Sequence, residues 1–256
     1  MWRKKQRRSA PEPARRESNL DFVFENPLDG LLWQSDAIAL LESRNSTDKR
    51  YTKHCPTSYC RYDFLYQKRT NFFTTLTKLD LRPACSRSNP CAAFAHAGRH
   101  EEECANQRAA RQNSVPQKLV EEIVDNWLEN SRLKYFLFVD AFAGYGSVTR
   151  AVNQHADAGR IHVVSNDLFR NSIDFDCSMK DCLEVLKTLG FAQMQADTPT
   201  LRLEEVAVLF WLSVPCTTYG PQGRGYHRSN GKKISALAKK HDAMNLELAK
   251  YLYLEL

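Results

Sequence analysis

The apolar residues in the second half of the chain form continuous blocks that alternate with helically spaced segments. Continuous blocks at residues 136–140, 161–165 and 205–212 predict buried strands. The segments with helical spacing, each predicted to be a helix, are 114–128, 147–155, 182–189 and 234–256. Buried strands that alternate with helices are typical of a parallel sheet with helices on both faces. The pattern therefore predicts a Rossmann-like α/β fold.

The first half of the chain has a weaker pattern. A short apolar block at residues 20–24 predicts a strand that ends at Glu25-Asn26-Pro27, and residues 31–41 have helical spacing. Residues 50–80 alternate aromatic and basic side chains, which predicts two strands joined by a turn. Residues 81–112 show little periodicity and are predicted to be loop with limited helix.

Length and composition fit one sizeable α/β domain, because the chain has 256 residues and 43% of them are hydrophobic. We expect this domain to span residues 19–256, with 81–112 as an irregular insertion that contains Cys and His. No apolar stretch reaches the roughly 20 residues that a membrane-spanning helix needs. No membrane association is therefore expected.

The net charge of +6 favours a polyanionic partner, and much of the excess lies in residues 1–8. This run has no apolar core behind it and is not a secretory signal, so an intracellular location, nuclear or cytoplasmic, is expected. Residues 1–18 are predicted to be a disordered basic tail. A nuclear address and a nucleic-acid-binding arm are the alternatives for the same residues.

Eight cysteines are present, and without a secretory signal they are expected to be reduced thiols. Five of them lie between residues 55 and 104, and His54, His96 and His100 are close to them in the sequence. A structural zinc ion and ordinary buried or surface thiols are both consistent with this composition. The Cys55-x4-Cys60 and Cys85-x5-Cys91 spacings are irregular, so the sequence assigns no metal ligand.

A glycine turn follows the predicted strand at 136–140, in the pattern Asp140-x-Phe142-x-Gly144-x-Gly146. Two glycines allow the backbone to approach a ligand closely, although a simple tight turn has the same signature. Asp167 follows the next strand, where a carboxylate can bind both hydroxyls of a ribose. Asp181 is predicted to end a further strand and to meet an adenine amino group. Together these residues predict a site for an adenosine-containing cofactor.

Two further strand ends carry reactive side chains. Cys216 follows Pro215 just after the strand at 205–212, where a thiolate can act as a nucleophile. A small buried hydrophobic residue is the alternative for this cysteine. Glu25 ends the strand at 20–24 and is either an acid in the same site or a surface acid at a turn.

These segments resemble four motifs of the cytosine-5 DNA methyltransferases. The segment at 139–146 looks like motif I and that at 213–216 like motif IV, the proline-cysteine nucleophile loop. The segment at 24–27 is similar to motif VI, whose glutamate-asparagine pair follows a strand. The segment at 112–116, which contains Asn113 and Ser114, resembles motif X beside the cofactor pocket.

The motifs occur here in the order VI, X, I, IV, whereas the family normally runs I, IV, VI, X. A circular permutation gives this order, and permutation is tolerated at exposed connections. It implies that the strand ending at Glu25 lies parallel beside the strand ending at Leu212. Glu25 and Cys216 are then expected to face one cleft.

The chain also departs from the family. Thr217 follows the cysteine where many members have glutamine, and Pro27 replaces the commoner valine. Motif VIII is not clear, and residues 67–70 are the nearest stretch. Only about forty residues separate Thr70 from Asn113, too few for the usual target-recognition domain. A helper subunit or a different substrate is therefore an open alternative.

The resemblance implies methyl transfer from S-adenosylmethionine to carbon-5 of cytosine in DNA. Cys216, preceded by Pro215, is the expected nucleophile at carbon-6. Glu25 is expected to contact ring nitrogen-3, and Asn26 to orient the local backbone. The residues expected to contact DNA are Lys68, Arg69 and Arg224, the last within a flap at 221–225. A solvated charge pair is the alternative for the first two.

Two other functions remain open from the sequence. Cytosine-5 methylation of RNA uses the same chemistry, and the short recognition region does not exclude it. A catalytically silent partner that binds the cofactor or a nucleic acid is the other alternative.

Overall fold

The computed structural model describes residues 19–43, 52–102, 114–166, 179–214, 219, 227–229 and 233–255. Its strands are β1 (Leu20–Pro27), β2 (Lys53–Ser58), β3 (Arg69–Thr74), β4 (Tyr135–Asp140), β5 (Ile161–Ser165), β6 (Val206–Leu212), β7 (Arg228–Ser229) and β8 (Lys233–Ile234). Its helices are α1 (Asp36–Ser43), α2 (Ala92–Ala97), α3 (Gln117–Asn130), α4 (Ser147–Asn153), α5 (Met179–Asp197) and α6 (Ala236–Glu255). Short 3-10 helices span Leu31–Gln34, Tyr59–Tyr62, Ala158–Arg160 and Leu203–Glu205.

Six strands form one mixed sheet in the order β2-β3-β1-β6-β4-β5. The four strands β1, β6, β4 and β5 are parallel, whereas β3 pairs antiparallel with both β1 and β2. The prediction of an α/β fold is confirmed. The prediction of a parallel sheet is right for these four strands. The two strands predicted within residues 50–80 are β2 and β3, which pair antiparallel and make the sheet mixed; a connection that contains the 3-10 helix Tyr59–Tyr62 joins them.

β1 lies parallel beside β6, with Phe24 opposite Leu212. This is the pairing expected from the motif order. β6 is the most enclosed strand, because all seven of its residues are buried and it has neighbours on both edges. Apolar side chains on both faces explain why its sequence is a continuous apolar run rather than an alternating one.

Helices cover both faces of the sheet and bury two apolar clusters. α3 and α4 pack on one face, where the Trp127 ring meets Phe136 edge-on at 5.2 Å between centroids. α1, α5 and α6 pack on the other face, together with inward side chains of β1, β4 and β6. On this face α5 approaches the sheet closely at Gly190, where a Cβ atom would stand 2.5 Å from Leu137 Cδ1.

Several helix boundaries differ from the predicted ones. The segment at 31–41 is a 3-10 turn followed by α1, because Ser35 between them has an extended backbone with ψ 157°. α5 is much longer than predicted, and α6 begins at Ala236 because Lys233–Ile234 pairs with Arg228–Ser229 instead. Among the described residues, no helix combines the length and the apolar character that crossing a membrane requires.

Candidate functional site

The carboxyl ends of the four parallel strands meet at one edge of the sheet, which is where open α/β sheets bind ligands. Glu25 and Asn26 lie at this end of β1, and Asp140 is the last residue of β4. Asn166 follows β5, and Val214 lies two residues after β6. The register of the strands therefore brings three of the predicted site residues to one edge.

The carboxylate of Glu25 is buried, with only 7% of the residue exposed. The Tyr59 hydroxyl donates a hydrogen bond to Glu25 Oε1 at 3.0 Å, and Lys68 Nζ lies 3.6 Å from the same oxygen. The Lys68 ammonium also lies 4.7 Å from the centre of the Tyr59 ring. Burial and the neighbouring Glu25 carboxylate raise the pKa of Tyr59 well above 10, so its hydroxyl stays a hydrogen-bond donor.

Asn26 joins β1 to the segment that follows β6. Its side-chain Nδ2 donates to the backbone oxygen of Val214 at 3.1 Å, inside a buried region. The next turn is tight, because a Cβ atom on Gly30 would stand 2.9 Å from the oxygen of Pro27 and 3.0 Å from Asn26 Oδ1. The Trp33 indole N–H donates to the Pro27 oxygen at 2.8 Å and closes the turn. Asn26 is thus fixed at both its backbone and its amide.

The glycine turn after β4 has the backbone that its sequence requires. Gly144 and Gly146 have φ angles of +50° and +67°, in the left-handed region that favours glycine. The Ala143 amide donates to the oxygen of Asn166 at 3.0 Å, and the Asn166 amide donates to the oxygen of Asp140 at 2.9 Å. These bonds tie the turn to the end of β5.

Asp140 is 1% exposed, and its Oδ2 accepts a hydrogen bond from the Thr149 hydroxyl at 2.7 Å. The carboxylate is therefore turned toward the start of α4. A Cβ atom on Gly144 would meet nothing closer than 3.9 Å, so the space beside the turn is open. Phe142 lies between Asp140 and Gly144 in the chain and is buried.

Ser114 lies at the start of the segment that leads into α3. The amide of the next residue, Val115, donates to the Ser147 hydroxyl at 3.1 Å, and Ser147 is the first residue of α4. The segment that resembles motif X therefore lies against the glycine turn. This neighbourhood agrees with the prediction for Ser114, although no ligand contact follows from it.

The side chains of Lys68 and Arg69 lie in different environments. Lys68 faces inward to Glu25, whereas Arg69 is an exposed partner of Asp29 at 3.7 Å. The alternative of a solvated charge pair fits Arg69 and does not fit Lys68. Five predicted site residues lie outside the described residues: Asn113, Asp167, Pro215, Cys216 and Arg224.

The position predicted for Asp181 is wrong. Asp181 lies in the first turn of α5 and is exposed, and no strand ends there. The reason is the helical spacing of Cys182, Leu183 and Leu186, whose buried side chains extend the helix to a start at Met179. An exposed acid in the first turn of a helix needs no ligand to explain it.

Sequence reasoning missed two groups of residues at this edge. Tyr59 is one of these, and nothing in the sequence distinguishes it from the other tyrosines as the partner of Glu25.

Tyr219 is the second residue that sequence reasoning missed. It is buried, and its hydroxyl donates to Asp242 Oδ1 at 2.8 Å and accepts from Asn245 Nδ2 at 2.8 Å. The Leu31 amide donates to the backbone oxygen of Tyr219 at 3.0 Å. The chain is therefore anchored again soon after the Pro-Cys segment.

Comparison with known proteins finds no matching family model, no similar curated protein and no similar solved structure. Function is therefore inferred from the residues and their geometry.

Proposed function

We propose that the chain transfers a methyl group from S-adenosylmethionine to carbon-5 of cytosine in DNA, through a covalent bond between Cys216 and the base. One observation carries this proposal. The parallel pairing of β1 with β6 places the Glu25-Asn26 pair beside Val214. Cys216 follows Val214 by two residues, and two residues of chain span at most about 7 Å. This supports the proposal that the buried acid and the cysteine share one cleft.

The residues proposed to hold the cofactor are Asp140, Phe142, Gly144, Gly146 and Ser114, with Asn113 and Asp167 from outside the described residues. Left-handed glycines with open space beside them suit close approach of a ligand to the backbone. The buried carboxylate of Asp140, oriented by Thr149, is proposed as a hydrogen-bond acceptor for the cofactor. When bound, S-adenosylmethionine would supply the methyl group from its sulfonium sulfur, which leaves as a neutral thioether.

The proposed chemistry needs a thiolate and a partner for the base. The Cys216 thiolate bonds to carbon-6, and the electron pair of the 5,6 double bond moves onto carbon-5 and, by conjugation, toward nitrogen-3, which makes carbon-5 nucleophilic. The Glu25 carboxyl gives a proton or a hydrogen bond to ring nitrogen-3 and so stabilises the negative charge that develops there. After carbon-5 has taken the methyl group, a base removes the carbon-5 proton, the 5,6 double bond re-forms, and the Cys216 thiolate leaves carbon-6. The target base must leave the duplex, which costs a few kcal/mol.

Tyr59 and Lys68 are positioning residues in this proposal. Both contact Glu25 Oε1, so they fix one carboxylate oxygen and leave the other for the base. Asn26 holds the backbone just before the Pro-Cys segment through Val214. Arg69, which is exposed, and Arg224, which lies outside the described residues, are proposed to contact DNA phosphates, since arginine binds phosphate well.

The motif order is proposed to be a circular permutation. The support is the position of β1, which enters the sheet beside β6 although it precedes β6 by most of the chain. Strand pairing depends on neighbours in space, so a sheet can be built from either chain order.

Labelled S-adenosylmethionine with duplex DNA and with RNA, followed by nucleoside analysis, tests the activity. We expect label in 5-methylcytosine from DNA with the wild-type chain and none with Cys216→Ser, because a serine hydroxyl is a far weaker nucleophile. Cys182→Ala, which changes a buried cysteine in α5, is the control and should keep the activity. DNA that carries 5-fluorocytosine should stay attached to the wild-type chain after denaturation.

The outcomes separate the alternatives. Label in RNA alone would mean that RNA, and not DNA, is the substrate. A Cys216→Ser chain that methylates cytosine at the wild-type rate would remove the covalent mechanism. Absence of label from both nucleic acids would support a silent binding partner and overturn the proposed activity.

A further inference from the structure

Four potential metal ligands converge on one side of the β2-β3 edge, apart from the glycine turn. Cys60 lies in the 3-10 helix Tyr59–Tyr62. Cys85 lies in the loop between β3 and α2, and Cys91 lies directly before α2. His100 follows the end of α2. Their ligand atoms all lie within 4.8 Å of one another. Cys85 and Cys91 are buried, and the other two are half-buried.

The spacing of these atoms matches a tetrahedral shell. With zinc–sulfur bonds of about 2.3 Å and zinc–nitrogen bonds of about 2.0 Å, tetrahedral geometry puts sulfur and nitrogen ligands about 3.5 Å apart. His100 Nε2 lies 3.6 Å from Cys85 Sγ and 3.4 Å from Cys91 Sγ. Sulfur ligands would be about 3.8 Å apart by the same geometry, which is within the span of the cluster.

We propose that Cys60, Cys85, Cys91 and His100 bind one structural zinc ion. Three thiolates and one imidazole fill four positions, and a closed shell of this kind is typical of structural rather than catalytic zinc. Soft sulfur ligands do not suit calcium or magnesium, which prefer oxygen. Binding releases the thiol protons to solvent, since cysteine coordinates as the thiolate.

Backbone amides already point at the sulfur atoms. The Cys91 amide donates to Cys85 Sγ at 3.2 Å, and the Phe94 amide donates to Cys91 Sγ at 3.4 Å. Such hydrogen bonds stabilise thiolates and orient metal ligands. The Phe94 ring lies 5.3 Å from the His100 ring and covers one side of the cluster.

The loop between the ligands is tied to the segment that carries Cys60. The Arg61 guanidinium donates to three backbone oxygens of that loop: those of Pro83, Asn89 and Pro90. The Gln67 amide donates to the Cys85 oxygen at 2.7 Å, and the Cys85 amide donates to the Ser58 hydroxyl at 3.0 Å. Residues 82–102 contribute few side chains to the apolar clusters, so a metal ion is a suitable source of their stability.

The site has a consequence for Glu25. Cys60 directly follows Tyr59, whose hydroxyl binds the Glu25 carboxylate. The zinc ion is therefore expected to hold Tyr59 in place as well as the loop. The metal site itself does not depend on the proposed methyl transfer.

The test measures metal on the full-length chain. Inductively coupled plasma mass spectrometry should find about one zinc ion per chain after purification without added chelator. Cobalt added to the stripped chain should give the absorption bands of tetrahedral thiolate coordination. Cys91→Ser and His100→Ala should each weaken zinc binding at least tenfold in a competition titration with a chromogenic chelator.

Matched controls come from the same segment. Cys55→Ser changes a buried cysteine outside the cluster, and His96→Ala changes an exposed histidine of α2. Both should keep wild-type zinc content, as should Cys104→Ser, which lies outside the described residues.

A wild-type chain that holds no zinc and gives no cobalt bands would overturn the proposal. Equal loss of zinc in His96→Ala and His100→Ala, or loss in Cys104→Ser, would overturn the ligand set. None of these readouts requires methyl transfer, so this test and that of the activity can fail separately.

Discussion

The buried carboxylate of Glu25 depends on two side chains that reach it from residues 59–68. A carboxylate enclosed in this way is costly unless hydrogen bonds and an opposite charge compensate it. Tyr59 supplies the hydrogen bond at 3.0 Å, and Lys68 supplies the charge at 3.6 Å.

Tyr59→Phe should lower the free energy of unfolding by about 1.5–3 kcal/mol, the usual contribution of a hydrogen bond to a charged group. It should also slow attachment to 5-fluorocytosine DNA, because the proposed role of Glu25 needs a fixed carboxylate. Urea denaturation and gel-based trapping measure the two effects.

The control for this change lies in the same 3-10 helix. The Tyr62 hydroxyl donates to Glu122 at 3.2 Å, and burial raises the pKa of Tyr62 to about 12. Tyr62→Phe removes the same atom from a different carboxylate and should leave the trapping rate unchanged. Equal slowing in both variants would mean that Tyr59 acts on the fold alone.

At the scale of elements, the turn between β4 and α4 depends on glycines with a left-handed backbone. Gly146 has φ +67°, which costs an L-residue about 1–2 kcal/mol. A Cβ atom there would stand 3.5 Å from the Arg150 guanidinium, an ordinary contact, so the cost is conformational rather than steric.

Gly146→Ala should therefore lower the free energy of unfolding by about 1–2 kcal/mol and weaken S-adenosylmethionine binding measured by calorimetry. Gly159→Ala is the matched control, because Gly159 has no positive φ and a Cβ atom there would meet nothing within 4 Å. It should be close to neutral in both measurements. Unchanged affinity in Gly146→Ala would separate this turn from the cofactor.

α6 carries a buried histidine, His241, which stacks on the Tyr219 ring at 6.3 Å between centroids. Burial lowers the pKa of His241 below its ordinary value of 6.5. Electrostatic interactions with Arg228, His227 and Lys240 lower this pKa further, whereas the Asp242 carboxylate raises it and partly offsets the shift. The unfolded chain therefore binds a proton as the pH falls through 6.5, whereas the folded chain resists it. Stability contributed by neutral His241 is present above that pH and is lost below it.

His241→Gln should flatten the acid limb of the stability curve below about pH 6.5, because glutamine does not titrate there. Urea denaturation at several pH values measures it, with His162→Gln as a control on a partly buried histidine of β5. Parallel acid limbs in wild type and His241→Gln would remove this histidine as the cause.

At the scale of the whole molecule, chain order and strand order are independent. A permuted chain that begins at Leu133 and ends at Arg132, with Leu256 joined to Met1 by a Gly/Ser linker, has the motif order I, IV, VI, X. The new ends lie between α3 and β4, where Arg132 is exposed. This chain should unfold in a single cooperative transition with unchanged far-ultraviolet circular dichroism.

The control permutant opens β6 between Leu209 and Phe210, both fully buried, and should not fold. A chain opened before Leu133 that fails to fold would show that the connection from α3 to β4 is required. Permutation at that point would then not explain the motif order.

The sequence alone predicts the parallel half of the sheet because its signals are local. Continuous apolar runs mark β4, β5 and β6, and two glycines mark the turn. The sequence also predicts two strands within residues 50–80, but not their bounds or their place at the edge of the sheet, since β2 contains Pro56 and polar residues and joins the sheet only through β3. The position of Asp181 was mispredicted because α5 begins at Met179, before the apolar residues from Cys182 onward that mark the helix in the sequence.

The candidate site and the cysteine cluster depend on contacts that are distant in the chain. Glu25 and Asn26 could be singled out at a strand end, but their partners Tyr59 and Val214 follow only from the folded sheet. Cys60 meets Cys85 and Cys91 although 24 residues lie between the first two. Irregular spacing hid the cluster, because loops rather than one hairpin bring its ligands together.

The place of β1 in the middle of the sheet has a consequence during synthesis. Asn26 and Val214 are 188 positions apart, so β1 leaves the ribosome long before β6 exists. At about 5–20 residues per second, that interval is roughly 10–40 s. Throughout it, one edge of β1 lacks the strand that will cover it, and an uncovered apolar edge pairs readily with other chains. Nascent chains that carry β1 are therefore expected to need a chaperone until the last strand of the sheet has been made.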